Sequence, residues 1–244
     1  MKLIDCNCHF GKTAHIEPGS FYEKNILLSK MEKLNIKKAL VYHTKARDYS
    51  PLEGNKLLLK EIKTNDNLLP VFIVIPNHTG EFMDITKIDK SVKAIKLFPS
   101  TKYHTFSLMD YSCKEIYEYC AATNLPIIMD IDETNWDQVD NILSNHYYLK
   151  LIITNTGYRA DRYIYPLMKK HRNLYFDTSR YFGHQAIEQF VNKFGSTNIL
   201  FGSGMPIVSG EGGVYFMEHL MLKEHDIENI AYNNINNIIR SVSL

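Results

Sequence analysis

Eight short apolar runs, separated by segments with helical spacing, constrain this chain more than any other feature of its sequence. They fall at 2–10 (KLIDCNCHF), 38–43 (KALVYH), 69–75 (LPVFIVI), 93–98 (KAIKLF), 125–131 (LPIIMDI), 149–154 (LKLIIT), 173–178 (NLYFDT) and 198–203 (NILFGS). Most are near-continuously apolar and rich in Ile, Val and Leu, as strands buried on both faces of a parallel sheet must be. Between them Leu27, Met31 and Leu34, then Leu58 and Ile62, then Ile116 and Cys120 recur at three or four residues. A last helix shows Ile227, Ile230, Asn234 and Ile238 on one face, with Asp226 as its N-cap. Unbroken alternation of eight strands and helices over 244 residues predicts an α/β fold, a single (β/α)8 TIM barrel spanning 1–244. A doubly wound open sheet would have fewer strands and a glycine-rich phosphate turn after the first, which Phe10-Gly11-Lys12-Thr13 is not.

The composition, 45% hydrophobic and 23% charged, suits one large core. A net charge of +1 arises from interspersed signs with no basic run, so nucleic acid is not an expected partner. No apolar run approaches the roughly 20 residues that span a bilayer, and the N-terminus enters strand-like sequence directly. The expectation is a cytoplasmic protein with no membrane partner, a small-molecule ligand and room for homo-oligomers. Cys6 and Cys8 are read on one strand face, a poor geometry for a disulfide, and Cys113 and Cys120 on a helix; all four read as small buried hydrophobes.

Barrel enzymes carry their active sites where the strands end, at the C-terminal face. Alternation in the first run places Asp5, Asn7 and His9 on one side and Cys6, Cys8 and Phe10 on the other. The other runs end at His43, Lys96, Asp130, Thr154-Asn155, Asp177-Thr178-Ser179-Arg180 and Gly202-Ser203-Gly204. His15, His78, His104 and His184 lie in loop-like sequence able to fold over this mouth, SGEGGVY at 209–215 reads as a mobile loop, and Tyr42, Tyr103, Tyr158, Tyr163 and Tyr181 are candidates for a pocket wall.

Ile4-Asp5-Cys6-Asn7-Cys8-His9-Phe10-Gly11 resembles the first-strand signature of the amidohydrolase-related family, Ile-Asp-x-His-x-His-x-Gly, whose histidines hold a catalytic metal. AIKLFP resembles the family's Gly-Ile-Lys-Leu-x-Pro, SPLEGNKLLLKEI its Gly-Asn helix with LPVFIVIP as the strand after it, LFGSGMP its Phe-Gly-Ser-Asp-x-Pro, and IAYNNINNII its last helix. LPIIMD and LIITNTG resemble strands that end in histidines in the family. The resemblance spans essentially the whole chain and implies a metal-dependent hydrolase barrel. The departures fall on the ligands: Asn7, Asp130 and Asn155 stand where the family has histidine, Gly204 where it has aspartate, and only His9 is retained.

Zinc favours imidazole and thiolate donors, whereas Mg²⁺ or Ca²⁺ usually needs several carboxylates or substrate phosphates. The expectation is therefore no tightly bound catalytic metal; zinc or another divalent ion, if held, would sit on His9 and Asp130. The catalytic candidates are His9 with Asp130 as an acid/base pair, the carboxylate raising the imidazole pKa, and Lys96 as the positive charge for an oxyanion or carboxylate. Asn7, Asn155, His43 and Asp177 are the binding candidates. Lys96 with Asp130 reads equally as a paired buried charge, His43 as a satisfied core histidine and Asp177 as a turn anchor. Three functions compete: a metal-free hydrolase, lactonase or decarboxylase acting on a small carboxylated or cyclic substrate, a pocket that binds without catalysis, and a conventional metal hydrolase with substitute ligands.

Overall fold

In the computed structural model, which describes residues 1–13, 21–181 and 183–244, every one of the eight runs forms a strand. The chain runs β1 (Leu3–Phe10), α1 (Lys24–Lys33), β2 (Ile36–His43), α2 (Thr44–Asp48), α3 (Pro51–Ile62), β3 (Leu68–Ile73) and β4 (Ala94–Lys96). It continues α4 (Asp110–Thr123), β5 (Ile127–Asp130), α5 (Trp136–Asn145), β6 (Leu151–Thr154), α6 (Asp161–Lys170), β7 (Leu174–Asp177), α7 (Ala186–Phe194) and β8 (Ile199–Leu200). Helices α8 (Gly210–Glu218), α9 (Glu224–Glu228) and α10 (Asn234–Arg240) complete it. Each strand pairs in parallel with the next, and the ring closes where the Cys6 N–H donates to the Phe201 carbonyl at 3.0 Å. This is the expected (β/α)8 barrel.

Two apolar clusters follow from strands that bury both faces. Ile4, Cys6, Leu40, Tyr42, Val71, Ile73, Ile128, Ile152 and Leu200 fill the barrel, joined by Ile235, Ile238 and Ile239 of α10. Leu3, Cys8, Phe10, Ala39, Val41, Ile95, Ile127, Ile153 and Phe176 pack outward against the helices. The four cysteines are buried and unpaired, but Cys6 and Cys8 lie in different clusters rather than on one face.

That difference comes from a β-bulge. The register along β1 and β2 runs Asp5↔Ala39 and then Cys8↔Val41, so β1 has one residue more than its partner between those points. An extra residue reverses the in-and-out parity of everything beyond it. Ile4 and Cys6 face the barrel interior and Asn7 and His9 also reach its mouth, while Asp5 turns to the other side, a correction to simple alternation. The Asp5 carboxylate, fully buried, holds the bulge: it accepts from the Asn7 N–H and the Ser203 N–H, each at 3.0 Å, and from the Cys8 thiol at 2.8 Å.

Three other expectations change. The β3–β4 connection has a three-residue 3-10 turn at Ile85–Lys87 and no α-helix, because Asn77, Asp84 and Asp89 accept backbone N–H bonds from Phe82, Thr86 and Ser91 and divert the chain into turns. The glycines of 209–215 belong to helix α8; at Gly210 a Cβ would lie 2.8 Å from the Met205 sulfur, so close packing explains this residue. Asp226 sits inside α9 rather than capping it, and its carboxylate accepts from the Ser196 hydroxyl at 2.7 Å. The last helical stretch passes through a π-turn at Asn229–Asn233 before α10.

The Gly-Asn pair in α3 has a structural cause. A Cβ on Gly54 would lie 2.1 Å from the Ala46 nitrogen, so only glycine lets α3 approach α2. That approach puts the buried Asn55 side chain at the end of β3, where its amide donates to the Ile73 carbonyl at 2.8 Å and its oxygen accepts from the Ile73 N–H at 3.0 Å. Asn55→Ala strands both buried backbone groups and should lower the unfolding free energy by about 2–4 kcal/mol, measured by urea denaturation.

Candidate active site

The strand ends converge on a cavity of about 390 Å³ at the C-terminal mouth. Asn7 and His9 from β1, Lys96 from β4, Asp130 from β5 and Asn155 after β6 all line it. At its centre the Lys96 ammonium, 3% exposed, lies 2.9 Å from Asp130 Oδ1. The same oxygen accepts from the Asn155 amide at 2.8 Å and from the Thr154 hydroxyl. Burial raises the Asp130 carboxyl, but Lys96, Thr154 and Asn155 outweigh it and hold the group below its usual value. Lys96 is likewise pushed down by burial and raised overall by Asp130 and Tyr42, so the pair stays charged. The ammonium also lies over the Tyr42 and Phe98 rings, 5.4 Å from each centroid.

His9 is not paired with Asp130. Its ring stacks on Tyr42 at 4.9 Å, and its buried Nε2 has no hydrogen-bond partner among the described residues. Burial first, and then the positive charges of Arg47 and Lys96, hold the imidazole well below its ordinary pKa despite Asp130. Asp130 does pull this pKa upward, as expected, but burial and the two cations outweigh it, so the net shift is downward and His9 is a neutral imidazole near pH 7.

Beneath the cavity the binding candidates form a network of their own. Asn7 Nδ2 donates to Asp177 Oδ2 at 3.0 Å and also reaches Ser179 Oγ and Asn155 Oδ1, at 3.3 and 3.4 Å. The Asn155 N–H donates to Asp177 Oδ1 at 3.1 Å, and Ser179 Oγ donates to Asn155 Oδ1 at 3.2 Å. Asp177 is fully buried and does not line the cavity; burial pushes its carboxyl up to about 6, against the bonds from Ser179, Asn7 and Asn155.

His43 points away from the mouth, into the helix layer. Its Nδ1 accepts the Lys45 N–H at 3.0 Å as the N-cap of α2, its ring meets Phe10 edge-on, and its Nε2 lies 3.9 Å from Glu61. Among the loop histidines, His78 and His104 bond the backbone carbonyls of Ser112 and Ala46 and His184 lines a separate hollow, while His15 lies outside the described residues. Of the tyrosines, Tyr42 and Tyr103 line the cavity, whereas Tyr158, Tyr163 and Tyr181 do not. Sequence reading missed Arg47, which lies on α2 four residues past the end of β2 and enters the wall with Tyr103, 5.2 Å below its guanidinium. Its signal was position: in a barrel, a polar residue shortly after a strand end belongs to the mouth.

Among the described residues no group of three or more His, Cys, Asp or Glu side chains is arranged to hold a metal ion. Asp130 is committed to Lys96, Thr154 and Asn155, and the amide nitrogen of Asn7 is turned toward Asp177, leaving a single imidazole where zinc requires several soft donors. These residues do not fit a catalytic metal. A chelator should accordingly leave the thermal midpoint unchanged, since a tight site would contribute several kcal/mol of linked stability at saturation; a drop of more than a few degrees on chelation would show a site elsewhere.

The raised Asp177 pKa has a definite sign. With a folded value of about 6, above the carboxylate's ordinary one, the folded state binds the extra proton between about pH 4 and 6. Asp177's contribution is thus most favourable below pH 4 and falls as pH rises through 6, by on the order of 3 kcal/mol. Asp177→Asn, which cannot ionise, should gain on the parent across that window and show no further relative change above it, read from paired urea titrations at each pH.

Comparison with known proteins agrees with the architecture. No curated protein matches the sequence. Among solved structures, a TIM-barrel protein from Bordetella bronchiseptica superposes with a TM-score of 0.79 at 16% identity, covering 99% of each chain. A dihydroxybenzoic acid decarboxylase from Polaromonas, with manganese and 2-nitroresorcinol bound, gives 0.71 at 12% identity over 98% of this chain and 97% of that one. A 5-carboxyvanillate decarboxylase from Sphingomonas paucimobilis gives 0.75 at 12% identity over 98% and 99%. At these identities the likeness is one of fold. The amidohydrolase family model matches residues 55–237, three quarters of the sequence, and the chain belongs to that family.

Proposed function

We propose that this protein is a metal-independent hydrolase of small carboxylated substrates, such as cyclic esters, working at the barrel mouth. The observation that carries the reading is His9: a neutral imidazole in the cavity wall, with an unpartnered buried nitrogen, beside the cations Lys96 and Arg47. A neutral imidazole is ready to take a proton from water. The water oxygen then bonds to the substrate carbonyl carbon, and the oxyanion that forms is stabilised by the ammonium and guanidinium. Collapse breaks the ring C–O bond, and the proton held by His9 passes to the leaving oxygen, so one water is consumed and an acid and an alcohol result. Tyr42, Phe98 and Tyr103 supply flat apolar wall for a ring, and the cations supply the anchor for its carboxylate.

Decarboxylation, the activity named for two of the structural neighbours, fits these residues less well. Protonating a ring carbon requires an acid facing the substrate, and among the described residues the carboxyl with a raised pKa, Asp177, lies outside the cavity wall. Binding without turnover is the second reading, favoured by the closed amide network of Asn7 and Asn155 on Asp177. A panel of small carboxylated lactones, assayed with chelator present, separates the two. Turnover is expected there, and His9→Gln should lower kcat by about 10²–10⁴ while leaving KM within a few-fold. Activity that appears only on adding a divalent metal, or an unaffected His9→Gln enzyme, would sink the proposal.

A further inference from the structure

We propose that Tyr42 is the positioning residue for His9: its ring, tied at the hydroxyl to Arg47, is the surface that fixes the plane of the imidazole. The inference rests on the reading of His9 as the base and deepens it. An imidazole base is usually oriented by a hydrogen bond from its second nitrogen to a carboxylate or a carbonyl. His9 lacks that device, since no described residue hydrogen-bonds its ring. Rotation about the last torsion of a histidine side chain is broad, so an unbonded ring needs another constraint. Here it has a face to lie on. The Tyr42 ring is 4.9 Å away between centroids and 20° from parallel.

The strand register builds this contact. His9 and Tyr42 are direct partners across β1 and β2. Had β1 kept the register of Asp5↔Ala39, His9 would stand opposite His43 and Cys8 opposite Tyr42, so the bulge is what delivers His9 to Tyr42. Tyr42 is fixed in its turn. It is buried, its ring meets Phe98 edge-on at 5.5 Å, and its hydroxyl accepts from Arg47 Nη1 at 3.3 Å. Arg47 donates to both carboxylate oxygens of Asp48, at 2.6 and 3.2 Å, so the support runs from Asp48 through Arg47 and Tyr42 to the imidazole. Rigid support matters for a base, because a misplacement of about 1 Å can cost about 10²-fold in rate.

Proton NMR and kinetics of the full chain test this together. The His9 ring signals, identified by their loss in His9→Gln, should lie upfield of their position in the unfolded chain, displaced by the Tyr42 ring current. Tyr42→Met keeps an adaptable apolar side chain without a ring face. It should abolish that displacement and lower kcat on the lactone about 10²-fold, with KM within a few-fold. Tyr42→Phe keeps the face and loses only the bond to Arg47, so it should retain the upfield position and recover about tenfold of the lost kcat. Signals at their unfolded position in the parent, or unmoved by Tyr42→Met, overturn the proposal. So does a Tyr42→Met effect confined to KM, which would make the ring a wall for substrate, or a Tyr42→Phe enzyme as impaired as Tyr42→Met. Should Tyr42→Met fail to fold, the parent spectrum and a Tyr42→Phe kcat within about tenfold of the parent decide. Without turnover of any lactone the hydrolase reading falls, and the spectra alone decide whether Tyr42 holds the imidazole.

Discussion

The carboxylate of Asp5 decides where the chemistry of this barrel can point. Without the extra residue it stabilises in β1, strand parity would carry Ile4, Cys6 and Cys8 inward and turn Asn7 and His9 out among the helices. The carboxylate accepts the Asn7 N–H within the bulge, the Ser203 N–H beyond β8 and the Cys8 thiol, so two backbone donors and a side chain are satisfied by one group. Because Ser203 lies just past β8, the same carboxylate also ties the two strands that close the ring. The Gly204 N–H then bonds the Asn7 carbonyl and the His9 N–H the Met205 carbonyl, both at 3.1 Å, so β1 and the β8 loop form one rigid edge of the mouth. A residue that reads as part of a ligand signature thus acts one step back, on the backbone that aims the ligands.

Across the mouth, charge is managed by replacement. Lys96 is the most buried cation in the cavity wall, and Asp130 neutralises it while Thr154 and Asn155 donate to that carboxylate and hold it in place. Removing one member of such a buried pair typically costs 3–5 kcal/mol, because the other is left charged and unsolvated. Asp130 still pulls the His9 pKa upward, but burial first, and then Arg47 and Lys96, outweigh it and keep the imidazole neutral. The neutral base that the proposed hydrolysis needs follows from burial, and the fixed cation from the Lys96–Asp130 pair.

Much of this was legible in the sequence. Eight runs of branched apolar residues sufficed for the barrel, because strands buried on both sides leave little else to choose, and the mouth residues Asn7, His9, Lys96, Asp130 and Asn155 followed from strand ends alone. What was illegible has local causes. A one-residue bulge carries no compositional mark, so Asp5 and Cys6 were assigned to the wrong faces. His43 ends its strand as His9 does, but Tyr42 takes the inward position beside it and leaves His43 to cap α2. Glycines at 209–215 signalled a loop by propensity, whereas Gly210 is required by contact with Met205. Arg47 lies on α2, four residues beyond its strand, where the strand pattern carries no information.

Gly204, where the family signature has aspartate, is tied closely to the backbone of the mouth. Its φ of +71° is a conformation that an aspartate adopts only with strain, and a Cβ there would stand 3.2 Å from the Val208 side chain. Its carbonyl accepts the Val208 N–H at 3.0 Å and its N–H holds Asn7, so the turn cannot relax to admit a side chain without loosening β1. Asn155 also has positive φ, at 57°, a region that Asn tolerates better than most residues, and its amide is held there by Asp130 on the neighbouring strand. The two departures are thus coupled to backbone shape as well as to ligand identity. A carboxylate restored at Gly204 alone would meet a turn built for glycine and a shell of amides already satisfied by Asp177 and Asp130. The residues at Gly204, Asn7 and Asn155 are therefore held by the backbone and the amide network of the whole mouth rather than one by one.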